Sequence, residues 1–359
     1  MRIEQDFSQS LGVERLKAAR LHEYNKPLRI EDVDYPRLEG RFDVIVRIAG
    51  AGVCHTDLHL VQGMWHELLQ PKLPYTLGHE NVGYIEEVAE GVEGLEKGDP
   101  VILHPAVTDG TCLACRAGED MHCENLEFPG LNIDGGFAEF MRTSHRSVIK
   151  LPKDISREKL VEMAPLADAG ITAYRAVKKA ARTLYPGAYV AIVGVGGLGH
   201  IAVQLLKVMT PATVIALDVK EEKLKLAERL GADHVVDARR DPVKQVMELT
   251  RGRGVNVAMD FVGSQATVDY TPYLLGRMGR LIIVGYGGEL RFPTIRVISS
   301  EVSFEGSLVG NYVELHELVT LALQGKVRVE VDIHKLDEIN DVLERLEKGE
   351  VLGRAVLIP

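Results

Sequence analysis

The sequence predicts an α/β protein in which a mostly β part precedes a doubly wound parallel sheet covered by helices. The chain has 359 residues, 46% of them hydrophobic, which is enough for about two packed domains. Up to about residue 150, short β-branched runs lie between Gly, Pro and Asp residues. From about residue 169, buried strands alternate with helices about a dozen residues long, the pattern of a parallel sheet with both faces covered.

Each element follows from a local run of apolar residues. Strands in the first part are predicted at residues 42–49 and 82–88. Residues 1–16 carry a few apolar positions without a period, so they are predicted to form an extension that docks on the body or on a neighbouring subunit. In the second part, the predicted strands are 189–193, 214–217, 235–236, 255–261 and 281–284, and the predicted helices are 200–209, 221–230 and 242–250. Beyond about residue 308, a helix at 314–323 and a final strand at 354–358 are expected.

Charge and composition favour a small-molecule partner. The chain has 42 basic and 52 acidic residues, and its net charge of −10 argues against a general electrostatic partnership with nucleic acid or an anionic membrane. The N-terminus is charged throughout and no run of 18 apolar residues occurs, so a cytoplasmic protein without a membrane segment is predicted. Only 15 residues are Asn or Gln, which indicates heat adaptation and thermostability.

A glycine-rich motif of the G-x-G-x-x-G type lies between the predicted strand 189–193 and the predicted helix 200–209. It is formed by Gly194, Gly196, Gly197, Leu198 and Gly199. The first glycine permits the turn, the second lets the backbone approach a pyrophosphate, and the third allows the helix to pack closely on the strand. The helix N-terminus offers N–H groups to phosphates. The alternative is that these glycines only make a tight turn.

An acidic residue at the end of the next strand specifies the cofactor. Asp218 lies 19 residues beyond Gly199, where a carboxylate accepts hydrogen bonds from ribose hydroxyls and repels a 2′-phosphate. NAD is therefore predicted. Lys220 could assist a phosphate, which leaves NADP as the alternative.

The first candidate metal cluster combines a thiol, an imidazole and a carboxylate. Cys54, His79 and Asp168 supply the three protein ligands that a catalytic zinc needs, and their two negative charges balance those of the ion. Thr56 and His59 are residue types that pass a proton to water, and Asp57 could orient His79. The alternative is a buried Cys, two surface His and a helix-capping Asp.

The second cluster lies in a glycine-containing loop. Cys112, Cys115 and Cys123 fall within twelve residues, a spacing typical of a closed structural zinc site. Asp109 precedes Cys112 with the same two-residue spacing and is the candidate fourth ligand. Glu119 or His122 as fourth ligand, or two cysteines oxidised to a disulfide, are the alternatives.

Together these motifs resemble the zinc-dependent medium-chain alcohol dehydrogenase family of archaeal or bacterial type. The resemblance runs from about residue 16 to the end of the chain and rests on GVCHTDLH, LGHENVGYIEEV, GDPV, APLADAGITAY and GVGGLG. It implies a GroES-like catalytic domain built from residues 1–169 and 309–359, with a structural-zinc lobe at about 104–126. A Rossmann domain at residues 170–308 would lie between the two parts.

The resemblance also implies roles for individual residues. Cys54 and His79 look like catalytic zinc ligands, Glu80 like the adjacent acid that can approach the metal, Thr56 like the hydroxyl that touches the alcohol, and His59 like the last group of the proton relay. Residues that match cofactor-lining positions are His55, Thr172, Lys223, Val284 and Arg354, and Trp65 matches a pocket aromatic. Asp168 and Asp109 depart from the family pattern, which usually has cysteine at both positions.

The expected function is that of an NAD-dependent alcohol dehydrogenase with two zinc ions per subunit. Hydride would pass between NAD and a primary or secondary alcohol, through a zinc-bound alkoxide whose proton leaves by way of Thr56, the ribose hydroxyls and His59. A polyol or threonine-type dehydrogenase is the alternative, and a non-catalytic zinc- and nucleotide-binding protein a more distant one. The resemblance implies a homo-oligomer, with a tetramer favoured over a dimer.

Overall fold

The computed structural model describes residues 15–359. Most of the predicted N-terminal extension, residues 1–14, lies outside the described residues. Its last two positions correct the prediction, because Arg15 and Leu16 already belong to a strand and Leu16 is buried. No helix of residues 15–359 is long and apolar enough to cross a membrane.

The first part of the chain is mostly β, as predicted. Its strands are β1 (Arg15–Leu21), β2 (Arg29–Asp34), β3 (Asp43–Val53), β4 (Tyr75–Thr76), β5 (Glu80–Val88), β6 (Pro100–Leu103), β7 (Phe140–Ser144) and β8 (Val148–Lys150). Its α-helices are α1 (His55–Val61), α2 (His66–Leu69), α3 (Leu113–Arg116), α4 (Arg157–Glu162) and α5 (Ala169–Ala181).

The rest of the chain alternates strands and helices. The strands are β9 (Tyr189–Val193), β10 (Thr213–Asp218), β11 (His234–Asp237), β12 (Val255–Asp260), β13 (Leu275–Ile283), β14 (Ser303–Gly306), β15 (Val331–Lys335) and β16 (Arg354–Ile358). The helices are α6 (Gly199–Met209), α7 (Glu221–Arg229), α8 (Pro242–Leu249), α9 (Gln265–Val268), α10 (Thr294–Ser300), α11 (Tyr312–Leu323) and α12 (Ile339–Glu347).

A six-stranded parallel sheet forms in the order β11-β10-β9-β12-β13-β14. The order reverses at β9, so the glycine loop after β9 lies at the switch point where such sheets bind dinucleotides. The doubly wound fold predicted from the sequence is therefore confirmed.

A seven-stranded sheet contains β3 and β5 at its centre and receives the end of the chain. Its order is β15-β16-β3-β5-β6-β8, with β7 also paired to β3. The strand β16 runs antiparallel to β3, Ala355 opposite Val53. The C-terminal strands thus return to the sheet that the first part of the chain began.

Helix α5 lies between the two large sheets. Its apolar residues Ile171 and Val177 share one buried cluster with Val82 of β5 and with Val190 and Ile192 of β9. A shared close-packed core holds this helix and the strands of both sheets in a fixed relation. The residues that follow those strands are therefore held near one another.

Some elements of the structure were not predicted, among them helix α12 in spite of its regular apolar positions, and two other departures have local features. Strand β13 begins at Leu275 rather than at residue 281, and it contains two glycines and Met278 at a φ of 58° beside a register shift. These features hid its first half, since glycine and a left-handed residue interrupt a strand pattern. Helix α10 was not predicted because Ile295 and Ile298 are exposed and give it no buried apolar face.

Candidate metal and cofactor site

The pairing of β3 with β5 brings the first metal cluster together. Gly52 near the end of β3 lies opposite Glu80, the first residue of β5, in antiparallel register. Cys54 follows β3 and His79 precedes β5, so the thiol and the imidazole meet at the same end of the sheet. Asp168 joins them from the start of α5, the helix that lies between the sheets.

The donor atoms of this cluster lie close together and are almost inaccessible to solvent. His79 Nε2 is 3.4 Å from Asp168 Oδ2, and Cys54 Sγ is 3.7 Å from the same oxygen. All four residues Cys54, His79, Glu80 and Asp168 place a ligand atom within 4.8 Å of the others. The predicted alternative of ordinary surface histidines does not hold for His79, which is 2% exposed.

Asp57 orients both the thiol segment and the imidazole. Its Oδ2 accepts a hydrogen bond from the Cys54 N–H at 2.8 Å, and its Oδ1 lies 3.3 Å from His79 Nδ1. Burial by itself lowers the pKa of His79, but the carboxylates of Asp57 and Asp168 outweigh it and raise that pKa well above its usual range. The field at this site therefore strongly favours positive charge.

Arg354 neutralises Glu80, the fourth residue of the cluster. Its guanidinium donates a hydrogen bond to Glu80 Oε1, which also accepts the Ala169 N–H at 3.0 Å. Burial raises the pKa of Glu80, whereas Arg354 acts in the opposite direction. The sequence suggested only a cofactor-lining role for Arg354, yet its side chain is 4% exposed and lies against both Glu80 and Gly197.

These residues fit a zinc ion. Zinc accepts one sulfur, one nitrogen and one oxygen ligand, and ligands of a tetrahedral zinc are separated by about 3.3–3.8 Å. The distances from Asp168 Oδ2 to His79 Nε2 and to Cys54 Sγ, 3.4 and 3.7 Å, fall in that interval. With Glu80 paired to Arg354, the thiol and the Asp168 carboxyl are the anionic groups that remain for the cation. Glu80 Oε2 is also buried without a hydrogen-bond partner, so this acid has a lone pair available to the same space.

The second metal cluster forms in the loop around α3. Asp109, Cys112, Cys115 and Cys123 bring their ligand atoms within 4.8 Å of one another. Hydrogen bonds fix the position of the Asp109 carboxylate. Its Oδ1 accepts hydrogen bonds from the N–H groups of Thr111 and Cys112 at 2.6 and 2.9 Å. Its Oδ2 accepts from Asn125 at 2.8 Å. These hydrogen bonds hold the pKa of Asp109 far below its usual range.

The alternatives for the second cluster have other contacts. Glu119 accepts a hydrogen bond from Arg175 at 2.5 Å, and its carboxylate is not one of the four donor groups that lie together in this loop. His122 is likewise outside the group. All four cysteines of the chain carry free thiols, so the predicted disulfide alternative is absent from the described residues 15–359.

The glycine loop leaves its backbone accessible for a ligand and packs tightly on its other side. A Cβ at Gly199 would lie 1.8 Å from the Gly194 carbonyl oxygen, which explains why the helix needs glycine there. Gly194 has a φ of 88°, and Leu198 precedes α6 as its N-cap. At Gly196 a Cβ would meet only Lys223 Nζ, at 3.9 Å, so the ammonium of Lys223 lies over the loop.

The side chains of Asp218 and Lys220 both make hydrogen bonds to the backbone of the protein. Asp218 ends β10 and accepts the N–H groups of Val195 and Lys220 at 2.8 and 2.9 Å. The ammonium of Lys220 donates to the Gly349 carbonyl at 2.5 Å. This contact gives the Lys220 ammonium a partner within the protein.

The remaining residues predicted to line the cofactor are Thr172, Val284 and His55. Thr172 is buried in the first turn of α5 and its N–H donates to the Asp168 carbonyl at 2.9 Å. Val284 follows β13 and donates its N–H to Asp260. His55 begins α1, and desolvation together with the positive charges of Arg354 and Lys223, and of His59 when protonated, lowers its pKa to about 4. In this environment His55 is a neutral hydrogen-bond donor at pH 7, not a fixed cation.

The predicted relay residues meet a side chain that sequence reasoning missed. Thr56 Oγ1 lies 3.6 Å from Cys54 Sγ. His59 Nδ1 lies 2.8 Å from the hydroxyl of Tyr286, which follows β13 in the other large sheet. Trp65, the predicted pocket aromatic, donates to the same hydroxyl at 3.1 Å. The only sequence signal for Tyr286 was its place in a glycine cluster after a strand.

Comparison with known proteins places these sites in context. The family model described as the alcohol dehydrogenase GroES-like domain matches residues 40–153, and the zinc-binding dehydrogenase model matches residues 197–324. The chain is 40% identical to the NAD-dependent alcohol dehydrogenase of Sulfurisphaera tokodaii, over 96% of this chain and 100% of that protein. It is 40% identical to an alcohol dehydrogenase of Geobacillus stearothermophilus, over 95% and 99%. The crystal structure of the D-arabinose dehydrogenase from Sulfolobus solfataricus is similar, with a TM-score of 0.84 and 32% identity over 96% of this chain and 100% of that one.

The pairing of Glu80 with Arg354 makes a stability prediction. The substitution Arg354→Met should lower the free energy of unfolding by about 3–5 kcal/mol, because it leaves the Glu80 carboxylate buried and unpaired. The double variant Arg354→Met, Glu80→Gln should recover most of this loss, since no buried charge is left over. Urea unfolding of the cofactor-free protein at pH 7 measures both. Equal losses in the single and double variants would contradict the assignment.

Proposed function

The chain belongs to the zinc-dependent medium-chain alcohol dehydrogenase family, and we propose that its Cys54 site oxidises primary or secondary alcohols to aldehydes or ketones with NAD. One observation carries this assignment to these residues. The donor atoms of Cys54, His79 and Asp168 converge beside Thr56, next to the loop and helix that receive a dinucleotide.

Some residues of the site would hold the zinc ion, and others would transfer the proton of the alcohol. Cys54, His79 and Asp168 would hold the zinc, with Asp57 fixing the imidazole behind it. Zinc supplies Lewis-acid polarisation of the alcohol oxygen, and NAD supplies the hydride acceptor. Thr56 is placed to take the hydroxyl proton, and His59 is placed to pass it towards solvent.

Glu80 belongs to the same site in a supporting role. Its Oε1 is held by Arg354 and the Ala169 N–H, and its Oε2 is buried without a hydrogen-bond partner. An acid in this position can approach the metal when the ligand set changes. It also carries the negative charge that anchors Arg354 against the glycine loop.

The cofactor preference follows from Asp218 and Lys220. A carboxylate at the end of β10 favours ribose hydroxyls over a 2′-phosphate. Lys220, the one residue that favoured NADP, has its ammonium on the Gly349 carbonyl. The glycine loop, Lys223, Thr172 and Val284 would complete the NAD site, with His55 as a neutral donor to the pyrophosphate.

A second, structural zinc is proposed for Asp109, Cys112, Cys115 and Cys123. Three thiols and an oriented carboxylate form a closed ligand set without an open position. Such a metal would stabilise the loop around α3, because binding free energy contributes to folding. A tetramer, a thermostable protein and a cytoplasmic location remain predictions drawn from the sequence and the resemblance.

Sugar or polyol oxidation is the second candidate function. The similarity to a D-arabinose dehydrogenase structure favours it. A substrate panel of primary, secondary and cyclic alcohols, polyols and D-arabinose, each with NAD and with NADP, distinguishes the two. Simple alcohols with NAD should give the highest kcat/KM.

Replacing the metal carboxylate tests the proposed site. Asp168→Asn should lower kcat/KM for alcohols by about 100-fold or more and reduce the zinc content from two ions per chain towards one. The loss would not come from an uncapped helix, because the Asp168 side chain makes no capping hydrogen bond to α5. The matched control is Asp241→Asn at the exposed N-cap of α8, where asparagine caps equally well. Full activity in the Asp168 variant would contradict the proposal.

The cofactor assignment predicts opposite results at two neighbouring positions. Asp218→Gly should raise the ratio of kcat/KM with NADP to that with NAD by at least about 10-fold, because the repelling carboxylate is gone. Lys220→Ala should leave the ratio within about 2-fold, since its ammonium contacts Gly349 instead. Steady-state kinetics with both cofactors measures this. An unchanged ratio for the Asp218 variant would refute the ribose role.

A further inference from the structure

Tyr286 reaches across the junction between the two large sheets. It follows β13 in the parallel sheet, and its hydroxyl contacts residues of α1 and the segment before α2. The loop that carries it is held by backbone packing: a Cβ at Gly263 would lie 2.0 Å from the Gly285 carbonyl carbon. The position of the tyrosine is therefore set by the fold around it.

Three polar atoms surround the Tyr286 hydroxyl. His59 Nδ1 lies at 2.8 Å, Trp65 Nε1 at 3.1 Å and Thr56 Oγ1 at 3.5 Å. The phenol ring also makes edge contacts with the rings of His59 and Trp65, with centroids 5.3 and 5.2 Å apart. The hydroxyl thus contacts both residues to which the sequence assigned proton transfer.

The chemistry of the neighbours determines the direction of these hydrogen bonds. An indole N–H can only donate, so the Tyr286 oxygen accepts from Trp65. The single phenol proton is then free for one acceptor, and the shortest contact is to His59 Nδ1. Thr56 is left to donate its own proton to the phenol oxygen. Burial lowers the pKa of His59, which keeps its ring neutral and able to accept at pH 7.

We propose that Tyr286 is a relay residue that carries the proton from Thr56 to His59. The inference rests on the proposed function and adds a protein hydroxyl to its proton path. The alcohol proton passes to Thr56 Oγ1, the Thr56 proton to the Tyr286 oxygen, and the Tyr286 proton to His59 Nδ1. The proton on His59 Nε2 leaves to water. Each hydroxyl breaks one O–H bond and forms one, so Thr56 and Tyr286 end unchanged and one proton reaches solvent. The His59 ring ends as its Nδ1–H tautomer, and proton exchange with water restores the Nε2–H tautomer before the next turnover.

Trp65 has a positioning role in this scheme. Its N–H occupies one lone pair of the phenol oxygen and so directs the phenol proton away from the indole, towards His59. With Tyr286 between Thr56 and His59, the proton passes through protein side chains alone and needs no hydroxyl of the cofactor ribose. In the path predicted from the sequence, that ribose lies between Thr56 and His59.

The substitution Tyr286→Phe tests the relay because it removes the hydroxyl and keeps both ring contacts. We expect kcat for alcohol oxidation at pH 7 to fall by about 10- to 100-fold, with KM for NAD changed by less than about 2-fold. The deficit should shrink at high pH, where hydroxide accepts the proton directly. Tyr24→Phe is the matched control, since Tyr24 also bonds a histidine ring nitrogen, His66 Nδ1 at 2.9 Å, and stands at 5.3 Å from that ring. It should behave as wild type.

A measurement without cofactor or substrate tests the hydrogen-bond direction. Nitrogen-15 NMR of histidine-labelled protein should show His59 as the Nε2–H tautomer, with Nδ1 accepting a hydrogen bond that disappears in Tyr286→Phe. A protonated Nδ1 in the neutral ring would overturn the proposal.

The outcomes separate the relay from the proposed function. A wild-type protein without alcohol activity would refute the function itself. An active wild type with an equally active Tyr286→Phe variant would refute only the relay. A variant in which KM for the alcohol rises while kcat and the pH profile stay unchanged would also refute it, because the tyrosine would then only line the substrate pocket.

Discussion

The buried ion pair between Arg354 and Glu80 is the interaction on which the rest of the site depends. Arg354 begins the last strand of the chain, and Glu80 begins β5 at the centre of the same sheet. A guanidinium and a carboxylate removed from water must be paired, and each then fixes the position of the other. Because Arg354 also lies against Gly197, this pair connects the metal donors to the glycine loop. The end of the chain therefore contributes to a cluster whose metal-binding candidates, Cys54, His79, Glu80 and Asp168, come from its first half.

Carboxylate in place of thiolate is the chemical feature that distinguishes both proposed metal sites from the family pattern. Asp168 and Asp109 each keep the charge of the cysteine usual in the family, so the electrostatic balance of each site is retained. Oxygen is a harder donor than sulfur and gives less charge to the ion, which makes the metal a stronger Lewis acid. Both aspartates are embedded in contacts that suit this role, with Asp168 beside His79 and Asp109 held by N–H donors of its own loop.

Features formed by residues close together in the sequence could be predicted, whereas features that depend on contacts between distant residues could not. The glycine loop, Asp218 and the three-cysteine loop are local patterns, and the strands that precede the glycine loop and contain Asp218 were predicted to within a few residues. The convergence of Cys54, His79 and Asp168 was predicted through motifs. Their proximity itself arises from the register of β3 on β5, which no local pattern specifies.

Two contacts could not be predicted from the sequence: that of Tyr286 with His59 and that of Arg354 with Glu80. Tyr286 lies 227 residues from His59 in sequence, and Arg354 lies 274 from Glu80. Neither pairing leaves a periodic or spaced signal. Strand β13 was half missed for another reason, because its glycines and the left-handed Met278 allow a bulge that a strand pattern excludes.

The central claim is that a metal ion at Cys54, His79 and Asp168 is required for alcohol oxidation. Stepwise chelation of the wild-type protein, with zinc content and NAD reduction followed in the same samples, tests it most directly. We predict that activity falls in proportion to the loss of one zinc ion per chain and returns when zinc is added back. Full activity in protein freed of zinc and of any other metal would contradict it.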